Sequence, residues 1–344
     1  MLFKDLADTF DRIEAEPSRL AMTAILSDFF KSVGTDEISD VVFLTQGKLR
    51  PDFYPQVLGM SDKLIIKAIS STVGVPESEV TEVVIKEGDP GSAAEILIKN
   101  KKQMTLFSDP LTLERVVNGL IDIENAEGRD SQNRKTKLLS NLLHDSEPVE
   151  ARYLCRIVTG KMRVGAGAMT ILDDLADAFS EKEHRPDLER AYNITSDLGR
   201  VAHTVADGGL EAIRSIEVSV GSPLRVMLAE RLRSIPETVE KLGGKCAMEY
   251  KYDGIRLQAH IKKDSVKLYS RRLEDMTSNF PDVAEALRAR CKVDEAIVEG
   301  EAVAVDVDTG FMLPFQEVTH RRKKHGIEDA IKEYPVKMFL FDLL

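Results

Sequence analysis

Cysteine is scarce in this chain. Cys155, Cys246 and Cys291 are its only three, and their wide separation matches neither the paired spacing of a zinc site nor the density of a disulfide framework. A reducing compartment is the simpler reading. No apolar run approaches the ~20 residues that span a bilayer, and the opening Met1-Leu2-Phe3-Lys4-Asp5 lacks a signal-peptide pattern, which points to the cytoplasm. Repeats of fixed period and low-complexity segments are also missing. A balance of 43% hydrophobic and 31% charged residues over 344 positions is that of a globular protein with two or three full-sized domains. Basic charge is in deficit as well: the net charge is −11, and because residues 241–344 hold 18 basic and 18 acidic residues, the whole excess of acid lies before them. An acidic total does not exclude nucleic acid, since phosphate contacts need local clusters of Lys, Arg and backbone N–H groups. It gives such binding no support either.

What is present before residue 217 is helical patterning. Apolar residues recur at spacings of three and four in residues 2–14, 64–73, 111–126 and 135–143, broken by turn-rich stretches such as Glu87-Gly88-Asp89-Pro90-Gly91 and Gly128-Arg129-Asp130-Ser131. A further helix, marked by Ala151, Leu154, Ile157 and Val158, stops at Thr159-Gly160, and helical spacing resumes at Ile171, Leu172, Leu175, Ala176 and Phe179. Between them lies Lys161-Met162-Arg163-Val164-Gly165-Ala166-Gly167. Glycines such as Gly165 let the backbone approach a ligand closely, and Lys161 and Arg163 flank the next helix N-terminus, a favourable place for a phosphate. A plain glycine-rich helix connection with solvated charges would read the same way.

The C-terminal part reads as strands. Residues 246–252 look like one, Asp253-Gly254 is a strong two-residue turn signal, and Ile255, Leu257, Ala259 and Ile261 then alternate with Arg256, Gln258, His260 and Lys262, which together predict a β-hairpin. Period 2 puts Glu249 and Lys251 on one face, with Arg256 just past the turn. Lys251 is the best candidate nucleophile in the chain, the alternative being a surface hairpin with solvated charges. Residues 296–306 form a second strand-like run that aligns Ile297, Glu299, Glu301, Val303 and Val305. Two carboxylates on such a face are costly to bury unless a cation or hydrogen-bond donor meets them.

Glu249-Tyr250-Lys251-Tyr252-Asp253-Gly254-Ile255-Arg256 resembles motif I of the covalent nucleotidyltransferases, in particular the ATP-dependent DNA ligases of archaea and eukaryotes. Later motifs follow in order: Ser270-Arg271-Arg272 resembles motif Ia, Glu299-Gly300-Glu301 motif III, and Met338-Phe339-Leu340-Phe341-Asp342 motif IIIa. Residues 150–179, with Gln46-Gly47-Lys48-Leu49-Arg50-Pro51 and Ser131-Gln132-Asn133-Arg134-Lys135, are similar to the helical DNA-binding domain of replicative-type ligases, and Gly221-Ser222-Pro223-Leu224-Arg225-Val226-Met227-Leu228-Ala229 resembles the entry to the adenylation domain.

The resemblance implies an all-α DNA-binding domain over residues 1–217, followed over residues 218–344 by the N-terminal part of an α+β, antiparallel-sheet nucleotidyltransferase domain. It implies that Lys251 attacks the α-phosphate of ATP, or of ADP or another adenylate donor, with Mg2+ as counter-charge. To attack, Lys251 must be neutral although a free lysine has a pKa of about 10.4, so burial or nearby positive charge from Arg256, Arg271 or the metal has to lower it. Glu249 would contact the adenine, Arg256 and Glu301 the ribose side or the metal, Arg271 the nucleotide and nick, and Phe341 the purine face. Asp253 could be structural. Lys161, Arg163 and Gly165 would touch duplex phosphates. Further implied are nick sealing in replication, repair and recombination, a monomer, a sliding clamp as partner, and association with the nucleoid in an archaeal cell. The family continues with motifs IV and V and an OB-fold domain that are not found before Leu344, so the expectation is a C-terminally truncated ligase. The alternative is a duplex-DNA-binding fragment unable to seal.

Overall fold

The computed structural model describes residues 1–54, 58–100, 109–322 and 326–344. They fall into two compact units, one taking most of the chain up to Ile216 and the other Glu217–Leu344 with two short stretches of the earlier chain. Among the described residues no helix is long and apolar enough to cross a membrane.

The first unit is helical: α1 Phe3–Ala15, α2 Arg19–Ser32, α3 Ile38–Thr45, α4 Asp62–Val73, α5 Glu77–Glu87, α6 Pro90–Lys99, α7 Leu113–Glu124, α8 Ser131–Asp145, α9 Pro148–Thr159, α10 Ala168–Phe179, α11 Arg185–Thr195 and α12 Leu198–Arg214. The period-3.6 pattern is the cause. In α7, Leu113, Val116, Leu120 and Ile123 fall on one buried stripe, and the Thr112 hydroxyl accepts from the Arg115 N–H to cap the first turn. Each such side chain contributes about 1.5–3 kcal/mol by leaving water.

Helix α9 differs in being buried nearly all round, through Ala151, Tyr153, Leu154, Cys155, Ile157 and Val158. Burial also takes in Arg156, which is only 2% exposed. Its guanidinium reaches Glu14 of α1 at 2.5 Å and 3.1 Å and Asp89, the N-cap of α6, at 2.9 Å. Arg152, one turn earlier, bonds Glu95 and Asp11 at 2.6 Å each, and the Tyr153 hydroxyl donates to Glu14. Burial opposes ionisation of Glu14 and Asp89, but Arg156 outweighs it and holds both carboxyls below their usual range.

The second unit is built on one antiparallel sheet with strand order β2-β1-β3-β4, from β1 Ile255–Lys262, β2 Ser265–Ser270, β3 Glu295–Ala304 and β4 Val336–Leu343. Four helices accompany it: α13 Ile235–Lys241, α14 Pro281–Arg290, α15 Phe315–Thr319 and α16 Ile327–Glu333. Alternation sorts the side chains. Ile255, Leu257 and Ala259 of β1, Leu268 of β2 and Ala302 and Ala304 of β3 form one core face with Phe280, Val283 and Val318 from the helical side. The expected helix-then-sheet architecture is therefore present.

The expected hairpin is not. Residues 246–252 form no strand and are mostly exposed, while β1 lies between β2 and β3 and has no free edge to pair with them. The true hairpin partner is β2, reached through Lys263 and Asp264, with Lys263 at a φ of +46°. Gly254 serves close packing instead of a hairpin turn: a Cβ there would lie 2.3 Å from the Ala302 carbonyl oxygen on β3.

Candidate nucleotide-binding site

The other face of the sheet carries the polar residues. Register sets Arg256 opposite Glu301 and Gln258 opposite Glu299 across β1 and β3. The alternation of polar residues on β1 suggests a solvated surface, yet Gln258 is 5% exposed, His260 2% and Glu299 4%. They are covered by residues 221–226. The Gly221 N–H donates to His260 Nδ1 at 2.9 Å, and the Leu224 N–H to Gln258 Oε1 at 2.7 Å. Because His260 Nδ1 accepts, its Nε2 carries the proton and donates to Gln258 Oε1 at 2.8 Å. Burial holds this imidazole neutral, with its pKa lowered to about 4. Glu299 is met on one oxygen by the Gln258 amide and on the other by the Arg256 guanidinium. Unpaired, such a carboxylate would cost several kcal/mol to bury. Gln258 and His260 are the residues that sequence reasoning missed as site components. The period-2 pattern marked them only as a polar face.

At the end of this face lies Lys251. It is exposed and close enough to Glu301 to act on its ionisation: burial pushes the half-buried Glu301 carboxyl up, while Lys251, the Gly254 N–H and Arg256 pull it down. Asp253 turns away and accepts the Phe315 N–H at 3.1 Å, tying the Lys251 bend to the start of α15. On the far side, Glu299 pairs with Asp342 and Gly300 with Leu340, so Phe341 is the extra residue of a β-bulge. A bulge re-aims a side chain. Here the Phe341 ring, 40% exposed, lies 5.2 Å from the Arg256 guanidinium carbon. Gly300 permits this crossing, since a Cβ would stand 2.5 Å from the Phe339 carbonyl oxygen. Phe339 itself stacks on Tyr252 at 4.3 Å.

Lys251, Arg256, Glu301 and Phe341 thus gather on one face of the sheet. Arg271, exposed just after β2, lines a small cavity with Arg256, Gln258, Glu299, Leu224 and Val226. Glu249 is exposed in the irregular segment and takes part in no hydrogen bond among the described residues. A primary amine, a guanidinium, a half-buried carboxylate and an open aromatic ring suit a ligand with a phosphate, polar hydroxyls and a flat base. Among the described residues no group of three or more His, Cys, Asp or Glu is arranged to hold a metal ion.

In the first unit, Gly160 ends α9 in the left-handed region and the chain runs irregularly to Gly167, the N-cap of α10. Met162 and Val164 are buried, which turns Lys161, Arg163 and Gly165 outward. Arg163 has a φ of +59° and donates to the Gly88 carbonyl at 3.0 Å, while Lys161 lies 3.9 Å from Asp62. Gly167 supplies no side-chain cap to the first turn of α10.

Comparison with known proteins agrees with both units. The family described as DNA ligase N terminus matches residues 2–176, and that described as ATP dependent DNA ligase domain matches residues 226–344. A DNA ligase of Cenarchaeum symbiosum is 43% identical over 100% of this chain and 59% of its own length. DNA ligase 2 of Thermofilum pendens is 47% identical over 98% of this chain and 58% of its own, and a DNA ligase of Sulfolobus acidocaldarius 43% identical over 100% and 59%. The chain therefore spans somewhat under three-fifths of the length of the curated relatives it matches. The N-terminal match alone covers more than half of the chain and the ATP-dependent domain follows it in order, so this chain belongs to the ATP-dependent DNA ligase family.

Proposed function

We propose that the protein seals nicks in duplex DNA with ATP as adenylate donor. The observation that carries this is the gathering of Arg256, Glu301 and Phe341 on one sheet face, with Lys251 near enough to act on the Glu301 carboxyl, in a chain of this family. The Lys251 amine, once neutral, attacks the α-phosphorus of ATP, a nitrogen–phosphorus bond forms, and pyrophosphate leaves. Arg256 and Arg271 supply positive charge for the nucleotide's phosphates, and the Glu301 carboxylate can meet a cation. Phe341 gives the purine a ring to stack on, and Glu249 contacts the adenine. The AMP then passes to the 5′-phosphate of a nick, and the adjacent 3′-hydroxyl displaces it to form the phosphodiester.

Magnesium fits this donor set, because it binds through one or two carboxylates together with substrate phosphates, and Glu301 would hold it and gain from it neutralisation of phosphate charge. Residues 1–217 form the DNA-binding part and residues 218–344 the adenylating part. Lys161, Arg163 and Gly165 grip duplex phosphates without reading sequence. The reading extends to a monomer acting in replication, repair and recombination in the cytoplasm, at the nucleoid in an archaeal cell, with a sliding clamp as candidate recruiter.

The test is covalent labelling. Incubated with labelled ATP and magnesium, the protein should take up label on Lys251 in an acid-labile, base-stable bond. Lys251→Arg should abolish it, since a guanidinium does not lose a proton in this range. Labelling retained in that variant would remove Lys251 as nucleophile.

A further inference from the structure

The hydrogen bonds beneath Arg256 have only one consistent orientation. Gly221 occupies His260 Nδ1, so His260 must donate from Nε2, and Gln258 must turn its oxygen toward His260 and the Leu224 N–H. That turns the Gln258 amide nitrogen toward Glu299, with the Leu224 carbonyl as a second acceptor at 3.4 Å. Glu299 is left with one oxygen free, and it takes Arg256. A planar amide is the group that can both accept two N–H donors and donate to a carboxylate in this position. The far end of the chain of bonds is the Arg256 guanidinium beside Phe341, and its Nε is buried with no partner among the described residues, so nothing else fixes its direction on that side.

We propose that Gln258 and His260 are positioning residues: they pin residues 221–224 across the polar face and, through Glu299, aim Arg256 at the nucleotide. The kinetic part of this rests on the ligation reading above. Both side chains are buried and spend their polar atoms on protein partners, so the proposed effect on the nucleotide is indirect. The route to the nucleotide through Glu299 ends at Arg256, which makes coupling between Gln258 and Arg256 the decisive quantity.

The experiment is a double-mutant cycle of Gln258→Met and Arg256→Ala, read by lysyl-AMP formation over a range of ATP concentrations, with amide exchange and the Arg256 Nε–H resonance followed by NMR. Gln258→Met keeps the volume but removes both bonding functions. Losing a hydrogen bond to a charged group should raise KM for ATP about tenfold with kcat changed less than about twofold. The Gly221 and Leu224 amides should exchange at least about tenfold faster, and the Arg256 resonance should move. In the Arg256→Ala background, Gln258→Met should add nothing further to KM. Gln258→Glu adds a pH signature: its KM should fall as pH drops from about 8 to 6 and the new carboxyl regains a proton to donate to Glu299. Additive effects on KM, or an unchanged KM in Gln258→Met, would overturn the proposal. If the unaltered protein takes no label from ATP, the ligation reading fails by itself, and the NMR measurements decide the positioning role. Protected Gly221 and Leu224 amides with an unmoved Arg256 resonance in Gln258→Met then reject it, and the opposite pattern sustains it.

Discussion

Arg156→Met isolates the charge at the centre of the helical unit, because methionine keeps much of the arginine stem's volume. The substitution removes the bonds to Glu14 at 2.5 Å and 3.1 Å and to Asp89 at 2.9 Å. Breaking a buried ion pair by removing one partner costs about 3–5 kcal/mol. Two features place the expected loss at the lower end of that range. Asp89 retains the Gly91 and Ser92 N–H groups and the Ser92 hydroxyl, and the Glu14 side chain is 29% exposed and keeps the Tyr153 hydroxyl. The loss should therefore be about 3 kcal/mol in urea unfolding at pH 7, followed by a probe confined to the helical unit. It should also depend on pH with a definite sign. Glu14 and Asp89 have folded pKa values below their unfolded ones, so the stability they contribute is complete above the usual carboxylate range and is lost as pH falls through the folded values. The gap between the unaltered protein and the variant should shrink below about pH 4. Adding Asp89→Asn to the variant should recover part of the loss, since an amide needs no counter-charge. A loss under about 1 kcal/mol, or one that does not change with pH, would refute the claim that Arg156 balances the Glu14 and Asp89 carboxylates.

Asp174 makes the opposite prediction. It is fully buried on α10 and burial raises its pKa to about 7, so the folded state holds the proton more tightly and stability declines as pH rises from the unfolded value through about 7. Asp174→Asn should stabilise the protein at pH 8 by on the order of 2–4 kcal/mol and by clearly less at pH 5, checked by thermal unfolding at both. Equal gains at the two values would mean the carboxyl does not titrate there. For the Thr159 to Gly167 connection, Lys161→Ala with Arg163→Ala should weaken binding to any duplex sequence and reduce the salt slope of log K by about one to two. An unchanged slope would make this stretch a plain helix connection.

Much of this was open to reading from residue order. Helices α1, α4, α7, α8, α9 and α10 lie where apolar spacing of three and four placed them, because amphipathic periodicity is a local property that the helix obeys wherever it packs. Alternation likewise separated Ile297, Glu299, Glu301 and Val303 from the Val298, Ala302 and Ala304 face of β3. Resemblance to the ligase motifs singled out Lys251, Arg256, Glu301 and Phe341, and tertiary structure brings them to one face.

Period 2 divides a strand into two faces without saying what covers either. The cover over Gln258 and His260 comes from residues 221–226, more than thirty positions away, so a face that reads as solvated is buried and its polar groups must satisfy one another. The same holds for pairing. Asp253-Gly254 is good turn chemistry, but β1 spends both edges on β2 and β3, and that choice depends on hydrogen bonds to residues about forty positions ahead. The bulge that aims Phe341 at Arg256 arises from a register shift between β3 and β4, two strands separated by two helices. The sequence by itself determined the helical periodicity of α1, α4, α7, α8, α9 and α10 and the alternation of β1 and β3, since those follow from neighbours along the chain, but not that residues 246–252 would form no strand. Tertiary structure alone decided which side chains meet, because edges, covers and register are set between elements distant in sequence.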